Sequence, residues 1–145
     1  MSLFGALSIS ASGLEAQRRR AELLVENLAN IDTTRTPEGG PYRRKDAVFS
    51  SSSVDSPFGS VWSDALVDSP AGVQVDDIIV DSRPPEKRYV PGHPDADPDG
   101  YVSFPRVHPA EEMVNLMSAS RGYEANVSAM TAVKEMIHRS LDLLK

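Results

Sequence analysis

The chain has 145 residues, of which 40% are hydrophobic and 25% are charged, a composition typical of one ordinary globular domain. No stretch approaches the roughly 20 consecutive apolar residues of a membrane-spanning helix, and the opening residues MSLFGALS lack the basic region of a cleaved secretory signal. With no cysteine and three histidines, the sequence excludes disulfides, thiol catalysis and thiolate zinc sites, and leaves little material for another metal site.

The formal net charge of −6 is unevenly distributed along the chain. Residues 1–45 carry 7 basic and 5 acidic residues, residues 46–112 carry 4 and 13, and residues 113–145 carry 4 and 3. A strongly acidic middle between nearly neutral ends repels nucleic acid, so the charge disfavours a DNA- or RNA-binding role.

The first predicted element is a long helix over residues 3–31. Apolar side chains recur every seven residues in two rows, which form a seam that is apolar at most of its positions. The rows are Leu7, Leu14, Ala21 and Leu28, and Leu3, Ser10, Gln17, Leu24 and Ile31. Arginines and glutamates occupy the opposite face, and two glycines weaken the helix, so we expect it to need partners.

Short strands and turns are predicted for the middle of the chain. The segments 39–49 and 73–80 read as two strands, and 87–90 and 101–104 as two more on either side of a loop rich in proline and aspartate. Residues 50–70 are polar and rich in turn-forming residues, which predicts an exposed loop.

The last predicted helix begins at Pro109, with Glu111 and Glu112 opposing the positive end of its dipole. Its apolar stripe runs for about five heptads in two rows. They are Leu116, Tyr123, Met130, Ile137 and Leu144, and Met113, Ser120, Val127, Lys134 and Leu141.

The lengths of the two helices, roughly 43 and 52 Å, exceed what a compact domain with a radius of gyration near 13 Å can cover. Further copies or partner chains are then expected to cover the remaining apolar surface, in a tube, bundle or coiled-coil polymer. The alternative is an autonomous helical hairpin with a small β cap.

Three groups of residues are candidates for a binding or catalytic site. Asp95, Asp97 and Asp99 followed by Gly100 resemble the start of a calcium loop, but Arg106 stands where the bidentate glutamate belongs, so a turn is favoured. The basic clusters 18–20 and 43–45 fit solvated faces, phosphate contacts or pairing with a neighbour's acidic middle. The histidines are far apart and no nucleophile elbow occurs, so we expect no catalytic, cofactor or metal site.

Five segments carry a resemblance to a known family. Residues 12–17, SGLEAQ, and 27–34, NLANIDTT, resemble the N-terminal signature of the axial proteins of the bacterial flagellum. Residues 36–49 and 111–126 look specifically like the FlgC family of proximal-rod proteins, and residues 89–101 also look like that family. The serine-rich stretch 50–70 and His108, which stands where a capping residue is usual, depart from the family pattern.

The resemblance implies an α+β fold and a structural role. It divides the chain into an N-terminal helix at 1–34, a β-rich middle domain at 35–107 and a C-terminal helix at 108–145. It implies a rod subunit that transmits torque from motor to hook, located in the periplasmic part of the basal body and exported by the flagellar type III apparatus without a cleaved signal. The implied partners are further FlgC copies, the rod proteins FlgB, FlgF and FlgG, and the adaptor FliE.

The expected assembly interface combines the heptad rows with the motif at the end of the first helix. Asn27 and Asn30 there are either simple cap residues or, by the resemblance, amides that satisfy exposed carbonyls at a bend. The interface is Leu7, Leu14, Leu24, Asn27, Leu28, Asn30, Ile31, Met113, Leu116, Tyr123, Val127, Met130, Ile137, Leu141 and Leu144. The alternative function is a soluble helical regulatory or chaperone-like interaction module.

Overall fold

The computed structural model describes residues 3–53 and 71–143. Within them the chain forms two long helices, one from each end, and two separate two-stranded antiparallel sheets between the helices. The α+β class expected from the sequence is therefore confirmed, although the four strands do not join into one sheet.

The first helix, α1, spans Leu3–Ala29 and ends two residues before the predicted Ile31. Asn30 follows the last helical residue, and both its backbone N–H (3.1 Å) and its side-chain Nδ2 (2.9 Å) donate to the carbonyl oxygen of Glu26. The hydroxyl of Thr33 then donates to Asn30 Oδ1 at 3.1 Å, which holds the chain in a turn. The side-chain amide thus satisfies a helix-end carbonyl, as expected for this motif.

The second helix, α2, spans Pro109–Asp142 and runs antiparallel along α1. Side chains of each helix pack on a glycine of the other, since a Cβ added to Gly13 would lie 2.9 Å from Asn126 Oδ1 and one added to Gly122 would lie 3.1 Å from Gln17 Cδ. Counting outward from the Gly13 contact, α2 extends past the described start of α1 after about Met136.

A long hairpin lies against α1. Strands β1 (Lys45–Ser53) and β2 (Ala71–Val80) pair from Lys45↔Val80 to Ser53↔Ala71, with a bulge after Val48. The backbone N–H of Val73 donates to Ser12 Oγ at 3.0 Å, so the hairpin points back toward the start of α1.

The prediction of a loop at residues 50–70 is wrong for its first four residues. Residues 50–53 are the last part of β1, because each of these serines pairs with a residue of β2 and the ladder satisfies its backbone groups. The remainder of that prediction, residues 54–70, lies outside the described residues.

A second, shorter hairpin precedes α2. Strands β3 (Glu86–Tyr89) and β4 (Tyr101–Phe104) pair in register, and the turn predicted between them is confirmed. Gly100 ends this turn with φ of 81°, and an added Cβ would lie 2.8 Å from the ring of Tyr89. Both features require glycine at this position.

The core is small and lies along the helix pair and beneath β4. Its apolar members are Ala16, Leu23, Leu24, Tyr42, Val102, Val107, Ala119 and Val133. Most of α2 remains exposed.

The close approach of the helices generates a stability prediction. Replacing Gly13 and Gly122 together with leucine overpacks the contacts with Asn126 and Gln17, at about 1–3 kcal/mol per site, while each glycine removed returns about 1 kcal/mol of helix propensity. We expect urea unfolding to show a net loss of roughly 2 kcal/mol. The matched control is Ala11→Leu with Ala125→Leu, because both alanines are exposed. Equal stability of the two double variants would contradict the close contact.

Candidate assembly surface and buried polar cluster

The residues of the predicted interface fall into two groups. On α1 and in the turn after it all of them are covered to some degree, with Leu24 and Asn27 buried and Leu7, Leu14, Leu28, Asn30 and Ile31 half-buried. On α2, Leu116, Met130 and Ile137 are half-buried, whereas Met113, Tyr123, Val127 and Leu141 are exposed. Leu144 lies outside the described residues.

The face of α2 that turns toward α1 is displaced by one residue from one of the predicted rows. The inward heptad row is Glu112, Ala119, Asn126 and Val133, while the row that begins at Met113 is exposed. Small residues explain the choice, since Ala119 is buried and Gly122 leaves room for the side chain of Gln17. In the sequence, the only sign of this inward face was its small residues. The apolar pattern did not reveal the face, because Glu112 and Asn126 interrupt it.

The apolar band consists of the exposed side chains Met113, Met117, Tyr123 and Val127. They are 55%, 56%, 42% and 41% exposed, and at 3.6 residues per turn they fall within an arc of about 120° beside the inward face. The band borders a groove of about 620 Å³ between the helices, which Val25, Leu116 and Tyr123 help to line. Apolar surface of this extent is typical of an interaction site.

The polar cluster joins α1, β1 and α2 beneath the surface and consists of Asn27, Tyr42, Arg44, Lys45 and Glu112. Asn27 is fully buried, and Nδ2 donates to the carbonyl of Lys45 at 2.9 Å and to Glu112 Oε2 at 3.0 Å. Its Oδ1 accepts from the hydroxyl of Tyr42 and from the backbone N–H of Lys45, both at 2.9 Å. The expectation that Asn27 is a cap residue of α1 is therefore wrong, because its amide binds Tyr42, Lys45 of β1 and Glu112 of α2 and no carbonyl of α1.

Glu112 is buried against a cation. Its side chain is 1% exposed, and Oε1 accepts from Arg44 Nε at 2.6 Å, while Arg44 also donates to Asp46 at 3.1 Å. Burial works against the arginine charge, but the hydrogen bonds and negative charges of Glu112 and Asp46 together outweigh it and raise the pKa of Arg44. From the sequence, Glu112 was expected to oppose the positive end of the helix dipole. Its ion pair with Arg44 was not expected.

Tyr42 shares this environment. Burial, together with the negative charges of Glu26 and Glu112, raises the pKa of Tyr42 to about 12. The phenol therefore stays protonated and remains a hydrogen-bond donor to Asn27.

The other sequence candidates have structural contacts. In the first basic cluster, Arg18 and Arg19 pair with Glu22 on the surface of α1. In the second, Arg44 and Lys45 form ion pairs with Glu112 and Glu26, so the expectation of a solvated charge row is wrong for Arg44.

The calcium-like loop and the start of α2 are also explained by packing. Asp95 Oδ2 accepts from Thr34 Oγ1 at 2.7 Å, and across residues 3–53 and 71–143 no three acidic or histidine side chains converge as a metal site. His108 precedes α2 in extended conformation without a side-chain cap, and Pro109 begins the helix.

Comparisons with known proteins define the class and then the family. Two long terminal helices around a small β region, with a match of residues 99–143 to "Flagellar basal body rod FlgEFG protein C-terminal", place the chain among flagellar rod-type proteins. The flagellar basal-body rod protein FlgC of Bacillus subtilis is 42% identical over 152 residues, covering 100% of both chains. That of Borreliella burgdorferi is 40% identical, covering 100% of this chain and 99% of the relative, and that of Salmonella typhimurium is 40% identical, covering 99% and 98%.

The chain belongs to the FlgC family of flagellar basal-body rod proteins. No helix in the part of the chain that the structure describes is long and apolar enough to cross a membrane.

The buried ion pair of the polar cluster predicts that removing the charge of Arg44 strongly lowers the stability of the fold. Arg44→Met leaves the buried carboxylate of Glu112 without its positive partner, so we expect the free energy of unfolding to fall by about 3 kcal/mol. Arg43→Met is the matched control, because Arg43 is exposed and adjacent. Adding Glu112→Leu to Arg44→Met is expected to recover part of the loss in a double-mutant cycle. Equal unfolding curves for the two single variants would refute the buried pair.

The raised pKa of Tyr42 predicts that the fold loses stability at alkaline pH. The folded pKa of about 12 exceeds the ordinary value of about 10, so the contribution of Tyr42 is complete below pH 10 and is lost as the pH rises toward 12. Thermal unfolding measured from pH 9 to 12 is expected to show a smaller decline for Tyr42→Phe than for the native chain. Parallel curves would show that the phenol does not ionise differently on folding.

Proposed function

We propose that this chain is a structural subunit of the proximal rod of the bacterial flagellar basal body and helps to build the shaft that transmits torque from motor to hook. The observation that carries the proposal is the apolar band on α2, which the helix pair leaves exposed. The names of the full-length relatives support the same role.

The band requires a partner for a physical reason. At about 1.5 Å per residue, the 27 residues of α1 and 34 of α2 give helices roughly 40 and 51 Å long, and both hairpins of the middle segment leave the band uncovered. Burying apolar surface contributes about 25 cal/mol per Å², so packing the band against neighbouring helices stabilises both subunits.

The proposed assembly surface keeps the residues expected from the sequence. Its exposed members, Met113, Tyr123, Val127 and Leu141, are available to neighbours without any change in the helix pair. The half-buried members of both helices would contribute at the edges of the same surface. The units 1–34, 35–107 and 108–145 then serve as inner helix, outer domain and inner helix.

The proposed neighbours are other FlgC copies, FlgB, FlgF, FlgG and FliE, with delivery by the flagellar type III export apparatus and no cleaved signal. We also infer a non-enzymatic role in the periplasmic part of the rod. This agrees with the polar cluster, whose groups are engaged with one another and hold the fold together. The alternative, a helical regulatory or chaperone-like module, is not favoured by the relatives' names.

One substitution on the band tests the proposal. Val127→Asp places a carboxylate where a neighbour's apolar side chain is expected, and a buried unpaired charge is costly, so we expect no completed rod and no swimming. Ser128→Asp, at the next and also exposed position, is the matched control and is expected to swim normally.

Circular dichroism of both purified variants is expected to match the native chain, because Val127 is 41% exposed in the monomer. If Val127→Asp were folded and swam as well as Ser128→Asp, the band would not be an assembly surface.

A further inference from the structure

The β3–β4 hairpin carries opposite charges at its two ends. The turn end holds Asp97 and Asp99, both exposed, and the open end adjoins Arg83 and Arg106. The register Glu86↔Phe104 to Tyr89↔Tyr101 keeps these ends apart by the length of four-residue strands, roughly 10 Å or more.

The acidic end is held rigidly. The N–H of Asp97 donates to Tyr101 O and that of Gly100 to Asp97 O, both at 2.8 Å, and Thr34 fixes Asp95 from outside the hairpin. The backbone that carries Asp97 and Asp99 is therefore held in a defined turn, which lowers the backbone entropy lost when a partner binds.

At the other end, four arginines share one cleft of about 90 Å³, here called the arginine cleft: Arg43, Arg44, Arg83 and Arg106. Arg44 is bound to Glu112, and Arg83 donates to both oxygens of Asp81, which lowers the pKa of Asp81 to about 2. Arg43 and Arg106 are exposed and form no ion pair with residues 3–53 or 71–143. The cleft thus holds two arginines without a direct ion pair beside two anchored ones, and the charge of Arg106 also acts on Asp81 in the cleft wall.

Resting on the rod function proposed above, we propose that the outer domains of successive copies contact one another head to tail, with Asp97 and Asp99 of one copy bound in the arginine cleft of the next. A surface that meets a different surface on the neighbour gives a heterologous contact, which builds rings or open helical filaments. The net charge of −6 disfavours a nucleic acid as occupant of the cleft, whereas the acidic loop of a second copy fits it.

Cysteine cross-linking tests the contact directly, because the native chain contains no cysteine. In the double variant Asp99→Cys with Arg106→Cys, expressed in a strain lacking the native gene, mild oxidation of isolated basal bodies is expected to give a ladder of dimers and larger oligomers. A bond within one copy is excluded by distance, since a disulfide needs Cα atoms about 4.4–6.8 Å apart. The control pair, Asp99→Cys with Ser118→Cys, is expected to give no ladder.

Charge reversal supplies a second readout. Asp99→Arg and Arg106→Asp each place like charges together, so we expect either change to lower the number of swimming cells by roughly tenfold, and the combination to restore swimming. If the double-cysteine chain is present in basal bodies but forms no ladder, the head-to-tail contact is wrong and the rod function stands. If the native chain itself is absent from basal bodies, both proposals fail.

Discussion

The side-chain amide of Asn27 holds three parts of the chain together. Both of its N–H groups and both acceptor positions of its oxygen are used, with Glu112, with the hydroxyl of Tyr42 and with both backbone groups of Lys45. A buried amide is costly unless every polar atom has a partner, and here each one does. Because the partners lie on β1, on the segment before it and on α2, the end of α1 has one compatible arrangement of its neighbours.

The position of α2 follows from this arrangement. Its first turn is anchored through Glu112 to Asn27 and Arg44, and the small residues Ala119 and Gly122 then let the helix lie close along α1. With that face turned inward, Met113 and Val127 must face outward. The apolar band is therefore a consequence of the buried polar cluster, which links the stability of one subunit to the surface it offers to others.

The middle of the chain serves a different purpose from the helices. Its two hairpins bury little surface of their own, yet β1 is fixed to α1 through Lys45 and the short hairpin is fixed through Asp95 and Thr34. Charged side chains at the ends of the short hairpin are thus held at defined positions relative to the helices. In the proposed rod, apolar contacts between helices supply most of the binding energy, and charges of the outer domain select the direction of assembly.

Local patterns in the sequence determined the elements: heptad periodicity and Pro109 located both helices, and β-branched runs between turns located the four strands, with β4 correct at both ends. The family was also visible in the motifs around Asn27 and Glu111. Three features depended on tertiary structure, namely the pairing of residues 50–53 with β2, the choice of the Glu112 row as the inward face, and the role of Asn27. The reason is physical: periodicity shows that a helix has an apolar face, but contacts such as Asn27 with Glu112, 85 residues apart, decide which face is buried.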